Sequence, residues 1–236
     1  MQVDILLEDG PLLAINKPAG LLTQGVPGAQ PSLESHAKAY LKSKLGKPGN
    51  VYLGVPHRLD RPVSGIVLFA KNSKAAARLA EQFRERSIRK FYLAIVENIP
   101  TTTEGTLVDW LLKDSDLAHV RVVPKGTEGA KRAVLDYEVI AARNNRALIQ
   151  IELHTGRMHQ IRVQFASRGY PIVDDFQYGK SSSGDNASQG NSDGTPIALH
   201  ARRLLLQHPV RYDAVEIVAP LPASWDSYGF VIPKGL

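Results

Sequence analysis

Residues 57–86 read HRLDRPVSGIVLFAKNSKAAARLAEQFRER, and three kinds of segment follow one another in them. Val55 to Gly65 is a turn-rich motif with two prolines. Ile66 to Ala70 is a continuous apolar run of strand length, as a buried strand requires. Ser73 to Arg86 then carries Ala76, Leu79, Ala80 and Phe83 at the i, i+3, i+4, i+7 spacing of an amphipathic helix, with Lys, Arg, Glu and Gln opposite. That polar face reads as a solvated helix surface.

The same reading extends in both directions. Ile5–Leu7 and Leu12–Ile15 are short apolar runs split by Asp9-Gly10-Pro11, which predicts a hairpin. Residues 16–31 are rich in Gly and Pro and read as loop. Ser32 to Leu45 has helical spacing, with Ser32 as N-cap and Gly46 as stop. Arg89 to Val96, Val134 to Ile140, Ala147 to Leu153 and Val215 to Ala219 read as strands. Met158 to Arg168 returns to helical spacing, and Leu199 to Leu206 is apolar with Arg202 and Arg203 interleaved. Lys180 to Thr195 is Ser, Gly, Asn and Asp with almost nothing apolar, and is expected to be a flexible loop. Strands cluster and alternate only irregularly with helices, and no repeat of about 20–50 residues is visible. This predicts an α+β fold with a mixed, mostly antiparallel sheet flanked by helices and loops.

The chain has 236 residues, 43% of them hydrophobic and 22% charged, which suits a globular protein with a sizeable core. It has no cysteine, so disulfides, thiolate metal sites and a Cys nucleophile are excluded. No signal peptide is visible at the N-terminus, and no stretch approaches the ~18–20 apolar residues of a membrane span. The expectation is a cytoplasmic protein with no membrane partner. It is expected to be a monomer, since no helix suited to association stands out. The net charge of +6 favours a polyanionic partner.

Three segments carry chemistry. In His57-Arg58-Leu59-Asp60-Arg61-Pro62, an aspartate lies between two arginines in an irregular turn. Loops on a rigid scaffold are where reactive groups sit. Two guanidiniums close by favour the ionised carboxylate and suit phosphate contacts. A plain turn-capping Asp with two surface arginines is the competing reading. In Thr155-Gly156-Arg157-Met158-His159-Gln160-Ile161-Arg162, a helix at about 100° per residue puts Met158, Ile161, Phe165 and Ala166 on one arc. Arg162 falls inside that arc and His159 on its margin, while Gln160, Gln164, Ser167 and Arg168 form the polar side. An inward arginine must find an anion, because an unpaired buried charge costs several kcal/mol. Asp60 is the obvious candidate, unless Arg162 snorkels to the surface. In Lys90-Phe91-Tyr92-Leu93-Ala94-Ile95-Val96, a strand puts Lys90, Tyr92, Ala94 and Val96 on one face, where Tyr92 suits either base stacking or a core position. His57, His154, His159 and His200 lack any His-Glu-x-x-His spacing, so a metal hydrolase finds no support in the motifs.

Taken together, these segments resemble the RluA-type family of RNA pseudouridine synthases. The matching strings are LLAINKPAGLLTQG at 12–25, HRLDRPVSG at 57–65, KFYLAIV at 90–96, GRMHQIRVQFASRGYPIVDD at 156–175 and LHARRLLLQHP at 199–209. The resemblance implies the pseudouridine synthase catalytic fold with a central active-site cleft, formed as one catalytic domain over residues 1–236. It implies no N-terminal accessory RNA-binding module, which many relatives carry, and no cofactor. It matches Asp60 to the catalytic aspartate, Arg162 to the arginine paired with it, and Tyr92 to the tyrosine packed on the target base. Arg58 matches the arginine that fills the stack when the uridine flips out. His57, Arg61, Lys90, Arg157 and His159 are expected to contact RNA. The sequence departs from the family at Val63 (usually Thr), Gln164 (usually His) and Asp174 (usually Gly).

The reaction so implied breaks a nitrogen–carbon glycosidic bond, turns the uracil and rejoins it through ring carbon 5. No atom is gained or lost. The carboxylate can attack covalently or stabilise charge on the sugar, and the sequence leaves both routes open. Extruding the base costs a few kcal/mol, which basic residues gripping phosphates help to offset. The alternative function is an RNA-binding protein without activity.

Overall fold

A computed structural model describes residues 2–25, 31–46, 48–114, 119–179 and 194–233. The chain forms two compact units, residues 1–89 with 201–222, and residues 90–200 with 223–236. Most of the predicted polar loop at 180–195 lies outside the described residues, which resume at Gly194.

The first unit opens with the predicted hairpin, β1 (Asp4–Asp9) and β2 (Leu12–Lys17), with Gly10 at φ +50 in its turn. Strand β2 pairs antiparallel with β3 (Ser64–Ala70). Every residue of β3 is buried, as its unbroken apolar run requires. Helix α1 (Leu33–Leu45) starts at Ser32, whose side chain and that of Ser35 form a reciprocal capping box, and stops at Gly46 in the left-handed conformation. Helix α2 (Ser73–Glu85) is capped by Asn72. Ala75 and Leu79 of α2 pack into a core with Leu12, Ala14, Ile66, Leu68, Leu204 and Ile217, while Ala76 and Phe83 border it.

The second unit is an antiparallel sheet in the order β4 (Arg89–Glu97), β8 (Arg146–Leu153), β7 (Lys131–Arg143), β5 (Glu104–Lys113), β6 (Val120–Val123). Helix α3 (Gln160–Ala166) packs Val163 on Leu111, Val120 and Ala133 of this sheet. Two further strands, β9 (Leu199–Gln207) and β10 (Ala214–Val218), pair with one another. Among the described residues no helix is long and apolar enough to cross a membrane.

The structure departs from the sequence reading in three places. Strands β5 and β6 were not anticipated: Leu107 and Leu111 are buried, but Val108, Trp110 and Leu112 blur the polar–apolar alternation that betrays a half-buried strand. Helix α3 begins at Gln160 instead of Met158, because His159 sits at φ +51 and cannot belong to a right-handed helix. The predicted polar side is solvated only past the helix end, where Ser167 and Arg168 are exposed. Gln160 and Gln164 are buried, with protein hydrogen bonds to Gln160 and to the Gln164 amide nitrogen, while Gln164 Oε1 has no partner among the described residues. Gln160 accepts from Thr155 Oγ1 at 2.7 Å and donates to the Val134 carbonyl at 3.1 Å, and Gln164 donates to Asp109 at 2.7 Å.

Asp174, where the family usually has glycine, takes φ +65. Asp tolerates that conformation better than most side chains, and its carboxylate accepts the Tyr228 hydroxyl at 2.7 Å. Gly65 leaves no such latitude. It lies at φ +112, and a Cβ there would sit 2.3 Å from the Ala201 carbonyl oxygen. Gly65→Ala is therefore expected to destabilise the protein by about 3 kcal/mol or more through backbone strain and steric clash. Urea denaturation checks this; a midpoint equal to wild type would contradict it.

Candidate active site

Asp60 lies in the first unit, in a loop whose backbone is fastened on both sides of it. On one side, the Thr23 hydroxyl donates to the Leu59 carbonyl at 3.0 Å and accepts from the Leu59 N–H at 3.1 Å. On the other, the Arg61 carbonyl accepts from Gly20 N at 2.8 Å and from the Lys17 ammonium at 3.1 Å, while Arg61 Nε donates to the Gly20 carbonyl at 2.9 Å. A tight turn closes as Val63 N donates to the Asp60 carbonyl at 3.1 Å. His57 fixes the approach to the loop. Its Nε2 accepts from Leu68 N of β3 at 2.9 Å, and its ring stacks on Phe83 of α2 with centroids 4.8 Å apart.

Lys17 is fully buried and also donates to the carbonyls of Pro18 at 3.0 Å and Leu21 at 2.8 Å. Burial pushes its pKa down to about 7, the Asp60 charge opposes that shift, and Arg61 reinforces it. Three carbonyl acceptors match the three donors of an ammonium, so this lysine ties one loop to another instead of facing solvent.

The second unit holds Arg162 on α3. It is 2% exposed, so it points inward as the helix spacing predicts and does not snorkel. The carboxylate that meets it in this unit is Asp175, 3% exposed. Arg162 Nε donates to Oδ2 at 2.7 Å and Nη2 to Oδ1 at 2.8 Å, a bidentate pair. Nη2 also donates to Gln177 Oε1 at 2.9 Å. Asp175 Oδ1 accepts further from Gln177 N at 3.2 Å and Tyr178 N at 3.3 Å. Geometry of this quality is what allows a buried pair to offset its desolvation.

The remaining sites expected from the sequence are placed as follows. Tyr92 is half-buried on β4, in register with Ile151 of β8. Lys90 is half-buried on the same strand, with its Nζ 3.8 Å from where a Cβ on Gly156 would lie. Arg157 donates from Nε to the Arg132 carbonyl at 3.1 Å. His159 Nδ1 lies 2.8 Å from the Tyr178 hydroxyl. Arg58 is exposed. Among the described residues no group of three or more His, Asp or Glu side chains suits a metal ion.

Sequence reasoning missed Lys17, Thr23, Asp175, Gln177 and Tyr178. A signal existed for two of them. Lys17 ends an apolar run directly before a proline, where a solvated lysine is out of place. Asp175 follows Pro171-Ile172-Val173, and the anion demanded by Arg162 had to come from some such buried carboxylate.

The family model described as RNA pseudouridylate synthase matches residues 11–167. The chain belongs to that family. A Bacillus subtilis relative, called an uncharacterized RNA pseudouridine synthase, is 35% identical over 94% of this chain and 70% of its own length. The ribosomal large subunit pseudouridine synthase D of Zymomonas mobilis is 35% identical over 93% of this chain and 69% of its own. The tRNA pseudouridine synthase C of Pasteurella multocida is 30% identical over 95% of this chain and 94% of its own. The solved structure of human RNA pseudouridylate synthase domain containing 4 superposes with a TM-score of 0.79 at 25% identity, covering 98% of this chain and 95% of that one. The protein is thus an RNA pseudouridine synthase, an isomerase acting on RNA, with the mixed α+β pseudouridine synthase fold.

Two outcomes follow for this pseudouridine synthase. Asp175→Asn leaves the Arg162 charge without its buried counter-ion and is expected to cost about 3–5 kcal/mol, read by chemical denaturation. Thr23→Val keeps shape but leaves the buried Leu59 amide and carbonyl without the hydroxyl. It is expected to cost about 2 kcal/mol and to lower kcat more than it raises KM. Unchanged kcat in a folded Thr23→Val variant would show that this clamp is irrelevant to catalysis.

Proposed function

We propose that the enzyme converts specific uridines of ribosomal or transfer RNA to pseudouridine, with Asp60, Tyr92 and Arg162 as its catalytic residues. The names of its relatives, one for ribosomal and one for transfer RNA, support that substrate range. The observation that carries the assignment of Asp60 is the fastening of its neighbours. Leu59 and Arg61 are each held by two or more hydrogen bonds, so the carboxylate is presented from a pinned backbone. A surface Asp that only caps a turn has no use for such bracing, whereas a reacting group depends on fixed geometry.

In this reading Asp60 acts at the sugar of the target nucleotide while the glycosidic bond breaks. Arg162 is the residue that the family resemblance matches to the arginine partner of such a carboxylate. Asp175 and Gln177 hold the guanidinium through Nε and Nη2. Tyr92 packs on the uracil and helps to remove the proton from ring carbon 5 once that carbon has joined the sugar, while the freed ring nitrogen 1 takes up a proton, so that the product is an isomer of the substrate. Arg58 enters the space left by the flipped base. His57, Arg61, Lys90, Arg157 and His159 contact the RNA around it. The chain works as one catalytic domain, in the cytoplasm, as a monomer and without a cofactor.

The test compares wild type with Asp60→Asn on bulk RNA, followed by pseudouridine mapping of total RNA from cells with and without the gene. The expected result is a fall in rate of about a thousandfold or more, with RNA affinity within a few-fold of wild type. Equal pseudouridine yields from the two proteins would remove Asp60 from the mechanism. Mapped positions in neither ribosomal nor transfer RNA would overturn the substrate range.

A further inference from the structure

We propose that Tyr178 is a positioning residue for Arg162, resisting tilt of the guanidinium out of the plane of its ion pair with Asp175. The proposal rests on the reading of Arg162 as part of the catalytic machinery. The bonds to Asp175 and Gln177 engage Nε and Nη2 along the edge of the guanidinium, at 2.7–2.9 Å. Bonds along an edge fix a planar group within its plane but resist rotation about that edge only weakly. The guanidinium lies over the face of the Tyr178 ring, with Arg162 Cζ 5.0 Å from the ring centroid. That distance lies within the range of a cation–π contact, which is strengthened where water is excluded.

The ring is itself held at both ends. Its hydroxyl accepts from Val120 N of β6 at 2.9 Å and meets His159 Nδ1 at 2.8 Å. At the other end the Tyr178 amide donates to Asp175 Oδ1 at 3.3 Å. The His119 ring lies against Tyr178 with centroids 4.8 Å apart and planes at 30°. One four-residue segment, 175–178, thus supplies the in-plane grip and the out-of-plane face. An aromatic ring anchored this firmly beside a buried cation does more than fill space, since leucine would fill much of the same volume without a charged face to offer.

The test replaces Tyr178 with phenylalanine and with mono-, di- and trifluorophenylalanine. Fluorine drains negative charge from the ring face and barely alters its size. The expected result is a stepwise fall in kcat for pseudouridine formation, about 3- to 30-fold from phenylalanine to the trifluoro form, with KM, RNA affinity and Tm unchanged. A flat kcat across the series, or a fall carried by KM, would overturn the proposal. If loss of the hydroxyl unfolds the chain, mono- and difluorotyrosine make the same comparison with the hydroxyl in place. Arg162→Met is measured alongside. Full activity in that variant overturns the role of Arg162 itself, whereas an inactive Arg162→Met with a flat fluorine series overturns only the role of Tyr178.

Discussion

A guanidinium sealed from water dictates much of the second unit. The burial of Arg162 is offset in this unit by Asp175, which meets it with two oxygens, and two backbone amides and Arg162 in turn supply hydrogen bonds to Asp175. These donors and acceptors tie the 175–178 segment to α3. They also explain why α3, seven residues long, is buried all round instead of on one stripe. A short helix of this kind draws little stability from its own backbone, and here the packing of Val163 and the bonds of Gln160 and Gln164 hold it in place.

The first unit solves a related problem with different means. Its reactive candidate sits in a loop, and a loop holds geometry only when its backbone polar groups are satisfied. The end of β2 and the loop after it supply that satisfaction through a lysine ammonium, a glycine amide and a threonine hydroxyl, directed at the residues on either side of Asp60. The charge of Lys17 is buried at a cost that lowers its pKa, and three carbonyls make the burial tolerable. Pre-positioned groups of this sort suit an isomerase that gains and loses no atoms, because rate then depends on holding a flipped nucleotide and a carboxylate in register.

Membership of the pseudouridine synthase family and the direct geometry answer different questions. The family fixes the reaction class and the fold. The side-chain contacts add what holds each candidate residue, and they give a physical account of two departures from the family pattern. Asp174 occupies a positive-φ position with a tyrosine hydroxyl to bind, and Gln164 spends its amide on Asp109.

By itself, the sequence determined the elements whose pattern is local. The hairpin, both capped helices and the buried run of β3 follow from turn residues, caps and period, all of which act over a few neighbours. It also determined that Arg162 points inward, since helix geometry places a side chain without reference to the rest of the chain. Only the tertiary structure decided who answers that arginine. Asp175 lies 13 residues away in sequence and reaches it through a turn that no periodicity describes. The same holds for Thr23 and Leu59, 36 residues apart, and for the burial of Gln160 and Gln164. Hydrogen-bond partners of buried polar groups are chosen by where the chain folds back, and residue type records only that a partner is needed.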